Sequence, residues 1–275
     1  MIQRSLDKAA GISFLRLMGA LPAATIVVPC YNEASRLVPD DFLALATKDG
    51  VRVLFVDDGS TDDTASVLRA ICERAAGRAE LLSLPANAGK AEAVRQGLLR
   101  ACAAGAAIVG YADADLSTPV RELLRLLDVC RDRGVAVVMG ARVALSGLDI
   151  ERSRVRHYLG RVFASAASII LQARIYDTQC GAKFFQVSDN LRSSLTEPFS
   201  SRWAFDVQLL GRLLTGAPGI APITTDDIVE VPLEEWRDVA GSKVKLLDMV
   251  RVLGELGVIW SDLTKRRRRM SREPR

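Results

Sequence analysis

The sequence contains few of the residues from which common metal and redox sites are built. It has one histidine and five cysteines, and no two of the cysteines form a CxxC pair. Four-ligand zinc sites and dithiol redox centres usually show such a spacing, so both are excluded. An odd number of widely spaced cysteines also argues against a disulfide framework, and a reducing cytoplasm is the expected compartment.

Long apolar runs are missing as well. The most apolar N-terminal stretch, "AAGISFLRLMGALPAATIVVP", is interrupted by Arg16 and Pro22. A membrane-spanning helix needs about 20 consecutive apolar residues, and a secretory signal needs an unbroken apolar centre. We therefore expect neither, and we interpret residues 1–22 as an amphipathic lead-in segment.

An excess of basic charge occurs in one place only. The net charge is +4, but residues 265–275, "KRRRRMSREPR", contribute +6 and the remainder of the chain sums to −2. A basic segment of this kind is a solvated end, a nucleic-acid contact or an anchor to anionic lipid.

The sequence is rich in alternating strand and helix patterns. Apolar runs with many β-branched residues predict buried strands at 24–29, 51–57, 79–85, 106–113 and 135–141. Segments with helical spacing follow the first four of them, at 39–48, 62–76, 89–104 and 119–132. Right-handed crossovers between such units give an α/β fold, with a mostly parallel sheet covered by helices on both faces.

The second half of the chain follows a different pattern. Helices are predicted at 153–174, 204–214 and 243–259, with a strand near "DIVEVPL". Because no repeat or low-complexity linker separates the halves, we expect one domain over residues 23–242, with a nucleotide-binding half to about residue 140 and an acceptor half after it. Residues 243–275 are expected to form an amphipathic helix and a basic tail.

Polar motifs stand where the predicted strands end. The first four strands are followed by "PCYNEA", "DDGSTDDT", "PANAGK" and "YADADLST". Ligands of parallel α/β sheets bind outside the carboxyl ends of the strands, so these motifs are expected to share one site. A dinucleotide site would need a GxGxxG turn after the first strand, and "CYNEAS" contains no glycine.

The aspartates of "YADADLST", Asp113 and Asp115, give the clearest indication of chemistry. Two carboxylates two positions apart on a strand point the same way, and burying both is costly unless a cation or hydroxyl donors satisfy them. Mg²⁺ or Mn²⁺ takes one or two protein carboxylates and completes its shell with water and phosphate oxygens. The pair therefore predicts a metal that holds a diphosphate, whereas "DDGS" and "NAGK" alone are equally typical of turns and helix caps.

Together, "VPCYNEASRL", "VLFVDDGSTDDT", "NAGKAEAVRQGL" and "YADADLSTP" resemble the family-two inverting glycosyltransferases with the GT-A fold. "DTQCGAKFF", "WAFDVQLL" and "VPLEEWRDVAGSKV" are similar to the branch that makes dolichyl- or polyprenyl-phosphate glucose. The resemblance runs from about Thr25 to Leu247. It implies transfer of a hexose, above all glucose from UDP-glucose, onto a polyprenyl phosphate, by a peripheral protein on the cytoplasmic face of a membrane and without a nucleic-acid partner.

The resemblance also implies roles for individual residues. Asp115 would be the direct ligand of Mg²⁺ or Mn²⁺, which neutralises the charge of the departing nucleoside diphosphate. The nucleotide would be bound by residues from all four strand ends, namely Pro29, Tyr31, Glu33, Asp57, Asp58, Lys90 and Asp113. Ser117 replaces a metal-ligating glutamine of mannosyl-transferring relatives, which favours the glucosyl branch, and Gln208 replaces the glutamate of a common Phe-Asp-x-Glu motif.

The acceptor is open to two interpretations. A lipid phosphate is already anionic, so it needs cationic positioning rather than a base, and Arg142, Arg156 and Arg161 are the candidates to bind it. A hydroxyl acceptor in cell-wall or polysaccharide synthesis would need a general base, for which Asp206 is the candidate.

The last helix is also open to two interpretations. Either its apolar stripe with Trp260 and the arginines anchors the protein to the membrane, or the stripe packs on the body and only residues 265–275 are free.

Overall fold

The structure is a computed structural model that describes residues 23–143, 149–150, 154–237 and 246–271. For residues 149–150, 154–161 and 246–253 it describes the backbone alone. The predicted lead-in segment lies outside the described residues, as do the side chains of Arg156 and Arg161. The domain boundaries at residues 22 and 242 therefore stay predictions.

One sheet of seven strands forms the centre of the molecule. Its strands are β1 (Ala24–Cys30), β2 (Val51–Asp57), β3 (Ala79–Ser83), β4 (Ile108–Tyr111), β5 (Val137–Ala141), β7 (Lys183–Gln186) and β8 (Ile228–Pro232). The spatial order is β3-β2-β1-β4-β7-β5-β8, and only β7 runs antiparallel to its neighbours. The strands β6 (Asp149–Ile150) and β9 (Glu235–Trp236) pair separately.

Helices cover both faces of this sheet. They are α1 (Pro39–Ala46), α2 (Thr64–Arg74), α3 (Lys90–Ala103), α4 (Val120–Arg133), α5 (Arg154–Leu171), α6 (Asp189–Thr196), α7 (Phe205–Thr215) and α8 (Leu246–Met270). Alternate strand residues point to opposite faces, so Ile26 and Val28 pack with α1, α2 and α4, whereas Val27 packs with α3 and the later helices. The sheet is therefore buried on both sides, as its apolar strands predict.

The predicted α/β series is confirmed, with three differences. The antiparallel strand β7 and helix α6 were not predicted. The β7 sequence "KFFQ" is too short to stand out among apolar residues. The last helix begins at Leu246 and continues to Met270, beyond the predicted end at residue 259. Residues 265–270 of the basic segment therefore belong to this helix.

The basic end of α8 also contacts the body of the protein. Arg266 lies 2.8 Å from a Glu197 carboxylate oxygen, and Arg267 donates to the Ile170 carbonyl at 2.8 Å. Leu256, Ile259 and Leu263 of the same helix are buried against the core. None of the helices in the described part of the chain is long and apolar enough to cross a bilayer.

Candidate functional site

Four loops meet at the carboxyl ends of β1 to β4. The Asn32 amide after β1 donates to the Ser60 hydroxyl at 3.0 Å, and the Thr61 amide after β2 donates to the Asn32 side chain at 2.8 Å. Arg36 after β1 forms an ion pair with Asp115 after β4. The predicted convergence of the strand-end motifs is therefore observed, since these contacts bind the first loop to the second and the fourth.

Asp58 joins the second loop to the third. It is buried and accepts the backbone amides of Ala88 and Gly89 at 2.8 Å each and the Asn87 amide group at 3.1 Å. Gly59 beside it has a φ of +66°, and a Cβ there would lie 2.6 Å from the Ala86 carbonyl carbon, so only glycine fits. The structure thus gives Asp58 a role in shaping the "NAGK" turn.

The remaining donor-side residues lie around this junction. The Asp57 carboxylate accepts a hydrogen bond from the Ser60 amide at 3.0 Å. The Glu33 amide donates to the Thr64 hydroxyl at 2.8 Å. Pro29 lies at the partly buried end of β1, and Tyr31 follows it with a partly exposed ring. All of the residues predicted to bind the nucleotide therefore belong to the same four loops or to the strand ends that carry them.

Asp113 and Lys90 form the link between the third and fourth loops. The Lys90 ammonium, at the first turn of α3, donates to the Asp113 carboxylate, and both side chains are about one third exposed. Burial works against the charge of Lys90, but Asp113, helped by Asp206 and Asp115, outweighs it and raises the pKa of Lys90. Both side chains remain accessible from solvent.

Gly181 provides the space that the Asp113 carboxylate occupies. A Cβ at this position would lie 2.0 Å from Oδ2 of Asp113, closer than any carbon approaches such an oxygen. The glycine of "DTQCGAKFF" is therefore required by the carboxylate, and a motif of the second half of the chain lies against the loop that follows β4.

Asp115 is held in a turn rather than on a strand. β4 ends at Tyr111, and Leu116 has a φ of +49°, so the argument that both aspartates project from one strand is wrong. The amide and hydroxyl of Ser117 donate to Oδ1 of Asp115 at 3.0 and 2.7 Å, while Arg36 pairs with Oδ2. Ser117 thus orients the carboxylate.

Arg142, a predicted acceptor-phosphate residue, follows β5 and is paired within the protein. Its guanidinium donates to both carboxylate oxygens of Asp177, at 2.7 and 2.9 Å, and lies 5.2 Å from the centre of the Trp236 ring. Burial works against this charge, but Asp177 outweighs it and raises the pKa of Arg142. Arg156 and Arg161 belong to α5, and their side chains are outside the described residues.

Asp206, the predicted base of the alternative function, lies in the first turn of α7. Its Oδ1 is 2.7 Å from the ammonium of Lys183 and accepts a hydrogen bond from the Tyr111 hydroxyl. Burial and the Asp206 charge hold the pKa of Tyr111 well above its usual value. The structure therefore brings Asp206 close to the donor site, but as the partner of a buried lysine.

Sequence reasoning missed two cations of the site, Arg36 and Lys183. Arg36 stands three residues after Glu33 in "YNEASRL", and it also lies 3.1 Å from the Glu33 carboxylate. A basic residue three positions beyond a site carboxylate is a usable signal. Lys183 had no such signal, because a lysine that opens a strand is more often solvated.

The two carboxylates fit Mg²⁺ or Mn²⁺. Within the described ranges, no group of three or more histidine, cysteine, aspartate and glutamate side chains converges on one point. Mg²⁺ accepts such a poor protein donor set, since it takes one or two carboxylates and completes its shell with phosphate oxygens and water. The carboxylate of Asp115, oriented by Ser117, and the one-third exposed carboxylate of Asp113 suit that ion.

Comparisons with known proteins agree with this geometry. The family model described as glycosyl transferase family 2 matches residues 25–192. The human dolichyl-phosphate β-glucosyltransferase is 32% identical over 80% of this chain and 69% of its own length. The enzyme of the same name from Trichomonas vaginalis is 30% identical over 84% and 69%, and that of Saccharomyces cerevisiae 29% over 86% and 73%.

Solved structures show the same fold. Glucosyl-3-phosphoglycerate synthase from Mycobacterium tuberculosis in complex with Mg²⁺ and UDP superposes with a TM-score of 0.62 at 22% identity, covering 91% of this chain and 83% of that one. Its complex with Mn²⁺, UDP-glucose and phosphoglyceric acid gives a TM-score of 0.61 at 20% identity over 91% and 84%. The chain is therefore a GT-A-fold enzyme that belongs to glycosyl transferase family 2, in the branch of the dolichyl-phosphate β-glucosyltransferases.

Proposed function

We propose that this enzyme transfers glucose from UDP-glucose to a polyprenyl phosphate, such as dolichyl phosphate, at a membrane surface and with inversion at the sugar carbon. The observation that carries the proposal is the set of four joined loops that presents Asp113 and Asp115 at the carboxyl edge of the sheet. The names of the relatives support the sugar and the acceptor. The UDP complexes of the solved neighbours support the nucleotide.

On the donor side, Asp115 would hold Mg²⁺ or Mn²⁺, with Asp113 beside it. The bound metal would neutralise negative charge on the departing diphosphate. Lys90 and Arg36 contribute further positive charge next to the two carboxylates, and both are partly exposed. Asp57, Asp58, Glu33, Pro29 and Tyr31 shape or line the loops around the nucleotide.

On the acceptor side, the phosphate oxygen attacks without losing a proton, since a phosphate monoester is anionic near neutral pH. Such an acceptor needs positioning by cations, for which Arg142, Arg156 and Arg161 remain the candidates. The close ion pair of Asp206 with Lys183 supports this interpretation over a hydroxyl acceptor, because it occupies an oxygen that a base would need.

A basic and apolar surface of α8 supports the membrane location. Val258 and Trp260 are exposed, and so are Lys265, Arg268 and Arg269 one to three turns further along the helix. Aromatic rings at the lipid interface and basic residues near anionic headgroups are the usual parts of a peripheral anchor. We place this surface on the cytoplasmic leaflet, which carries the anionic lipids.

Product identification with a panel of donors tests the proposal. The purified enzyme is given dolichyl phosphate and Mg²⁺ with UDP-glucose, UDP-galactose, UDP-N-acetylglucosamine or GDP-mannose, and the lipid extract is analysed by mass spectrometry. We expect glucosyl lipid from UDP-glucose and at least tenfold less product from the other donors. Asp115→Asn is the inactive control, and a higher rate with GDP-mannose would contradict the proposed donor.

A further inference from the structure

A buried ion pair lies next to the loop that carries Asp113 and Asp115. Lys183 opens β7 and is 1% exposed, and its partner Asp206 is 8% exposed. The lysine ammonium also donates to the Cys180 carbonyl, and the Tyr111 hydroxyl donates to the same oxygen of Asp206. One carboxylate therefore joins β4, β7 and α7.

The register of the sheet explains this arrangement. Lys183 stands directly opposite Tyr111 in the antiparallel pair of β4 and β7, so both side chains project from the same face. The ammonium lies 5.4 Å from the centre of the Tyr111 ring, and Phe185 and Phe205 pack against that ring. In these apolar surroundings, either charge alone would be costly to bury.

The ion pair is connected to the donor site by a short stretch of backbone. Segment 180–183 is fixed at its end by Lys183, which pairs with Asp206 and also bonds back to Cys180. Gly181 lies within this segment and borders the carboxylate of Asp113 without room for a side chain. A shift of the segment would therefore move its backbone against Asp113.

We propose that Asp206 is a positioning residue, the counter-ion of Lys183, and that the pair holds segment 180–183 against Asp113. Asp206 then takes no proton from the acceptor. This second part rests on the proposed function, in which the acceptor is a phosphate. The first part concerns only the donor site, so it can be tested without any acceptor.

The test compares the wild type with Lys183→Met, Asp206→Asn and the double variant. Lys183→Met leaves the Asp206 carboxylate without this counter-ion, and Asp206→Asn leaves the Lys183 ammonium without its counter-ion. The double change removes both charges at nearly constant volume. We expect the single variants to bind UDP with Mg²⁺ at least ~10-fold more weakly and to melt at lower temperature, and the double variant to return to within ~3-fold of the wild type. Losses that simply add in the double variant would overturn the pairing.

Catalysis separates a counter-ion from a base. With UDP-glucose and dolichyl phosphate, kcat should recover in the double variant along with UDP binding. If Asp206 accepts a proton, the double variant stays as slow as Asp206→Asn even where UDP binding is restored, because removing Lys183 cannot replace a base. If the wild type makes no lipid product at all, the proposed function fails while the UDP-binding cycle still decides the pairing.

Two further measurements keep the test decisive. If Lys183→Met does not fold, the pH profile of Asp206→Asn decides, since a counter-ion leaves the acidic limb of kcat in place and a base removes it. Glu122→Gln is the matched control, a fully buried carboxylate paired instead with Arg125. It should lower the melting temperature without changing UDP binding.

Discussion

The two regions proposed for this enzyme, a donor region at the loops after β1 to β4 and an acceptor region in the second half of the chain, carry their charges differently. The donor region places Asp113 and Asp115 on a loop and Lys90 at the start of a helix, with 33%, 17% and 32% of each side chain exposed. The acceptor region places Lys183 and Asp206 at the start of a strand and of a helix, with 1% and 8% exposed. Partly exposed charges such as the first can exchange partners with a ligand, whereas the second pair is nearly closed to solvent.

Arg142 and Asp177 lie between these two extremes. Their side chains are 14% and 8% exposed and form a bidentate pair at the end of β5. Trp236 of β9 covers the guanidinium, and Glu230 of β8 accepts the Asp177 amide at 2.9 Å. Whether Arg142 can bind a ligand or only pairs with Asp177 is therefore the question that variants of this pair address.

The largest expected effect is on the donor side. Asp115→Asn removes the predicted metal ligand, and the expected loss in kcat is roughly a thousandfold, or about 4 kcal/mol of transition-state stabilisation. Stability should change little, because Arg36 keeps its ion pair with Glu33 and Asn retains the hydrogen bonds from Ser117. Steady-state kinetics over a range of Mg²⁺ and Mn²⁺ concentrations, with thermal melting, measure both.

The control for this prediction is Asp128→Asn, a largely exposed carboxylate on α4 that pairs with Arg131. It should leave kcat and metal dependence unchanged. Unchanged metal dependence in Asp115→Asn would show that the exposed carboxylates of the donor region do not bind the ion.

A smaller effect is expected at the boundary between the regions. Arg142→Ala removes the bidentate guanidinium partner of the buried Asp177 carboxylate, which should lower the free energy of unfolding by about 3 kcal/mol. If Arg142 also binds the acceptor phosphate, the KM for dolichyl phosphate rises while the affinity for UDP stays the same. Denaturant unfolding and kinetics with each substrate varied in turn separate the two roles.

Asp177→Asn is the matched change for Arg142. It breaks the same pair but leaves the cation in place, so it should destabilise the protein without raising the acceptor KM. Equal effects of the two variants on the acceptor KM would assign Arg142 to the scaffold alone.

The smallest effect per residue is expected at the membrane surface. Changing the exposed Lys265, Arg268 and Arg269 of α8 to Gln should weaken binding to anionic vesicles by about 1 kcal/mol for each residue. Arg266 and Arg267 are left intact, because they contact Glu197 and Ile170. Vesicle sedimentation at physiological salt measures the change.

Three exposed arginines elsewhere on the body, Arg52, Arg69 and Arg133, provide the matched control. Changing them to Gln removes the same net charge from β2, α2 and α4. If both triple variants lose vesicle binding equally, the attraction comes from net charge and α8 is no anchor.

The sequence predicted the donor region better than the acceptor region, for a physical reason. Parallel strands such as β1 and β2 are continuous apolar runs, and the motifs after them are polar and local, so both the strands and the site are visible in the sequence. In the second half, the contacts of Lys183 with Asp206 and of Gly181 with Asp113 depend on the insertion of β7 between β4 and β5. No local pattern encodes that insertion.

The ion pairs of the second half were also not predicted from the sequence. Arg142 was assigned to the acceptor phosphate from its place after the fifth predicted strand, and Asp206 was named as a base by resemblance to family members that act on hydroxyl groups. Their pairing with Asp177 and Lys183 requires knowledge of which strands are neighbours. Similarly, the basic run after residue 264 gave no sign that Arg266 and Arg267 would contact the body.

The most direct test of the central claim compares a phosphate with an alcohol as acceptor. Dolichyl phosphate and dolichol of the same chain length are presented in the same detergent, with radiolabelled UDP-glucose and Mg²⁺, and initial rates are followed with and without EDTA. Metal-dependent glucosylation of the phosphate, with no transfer to the alcohol, is the predicted result. Faster transfer to dolichol, or full activity in EDTA, would contradict the account.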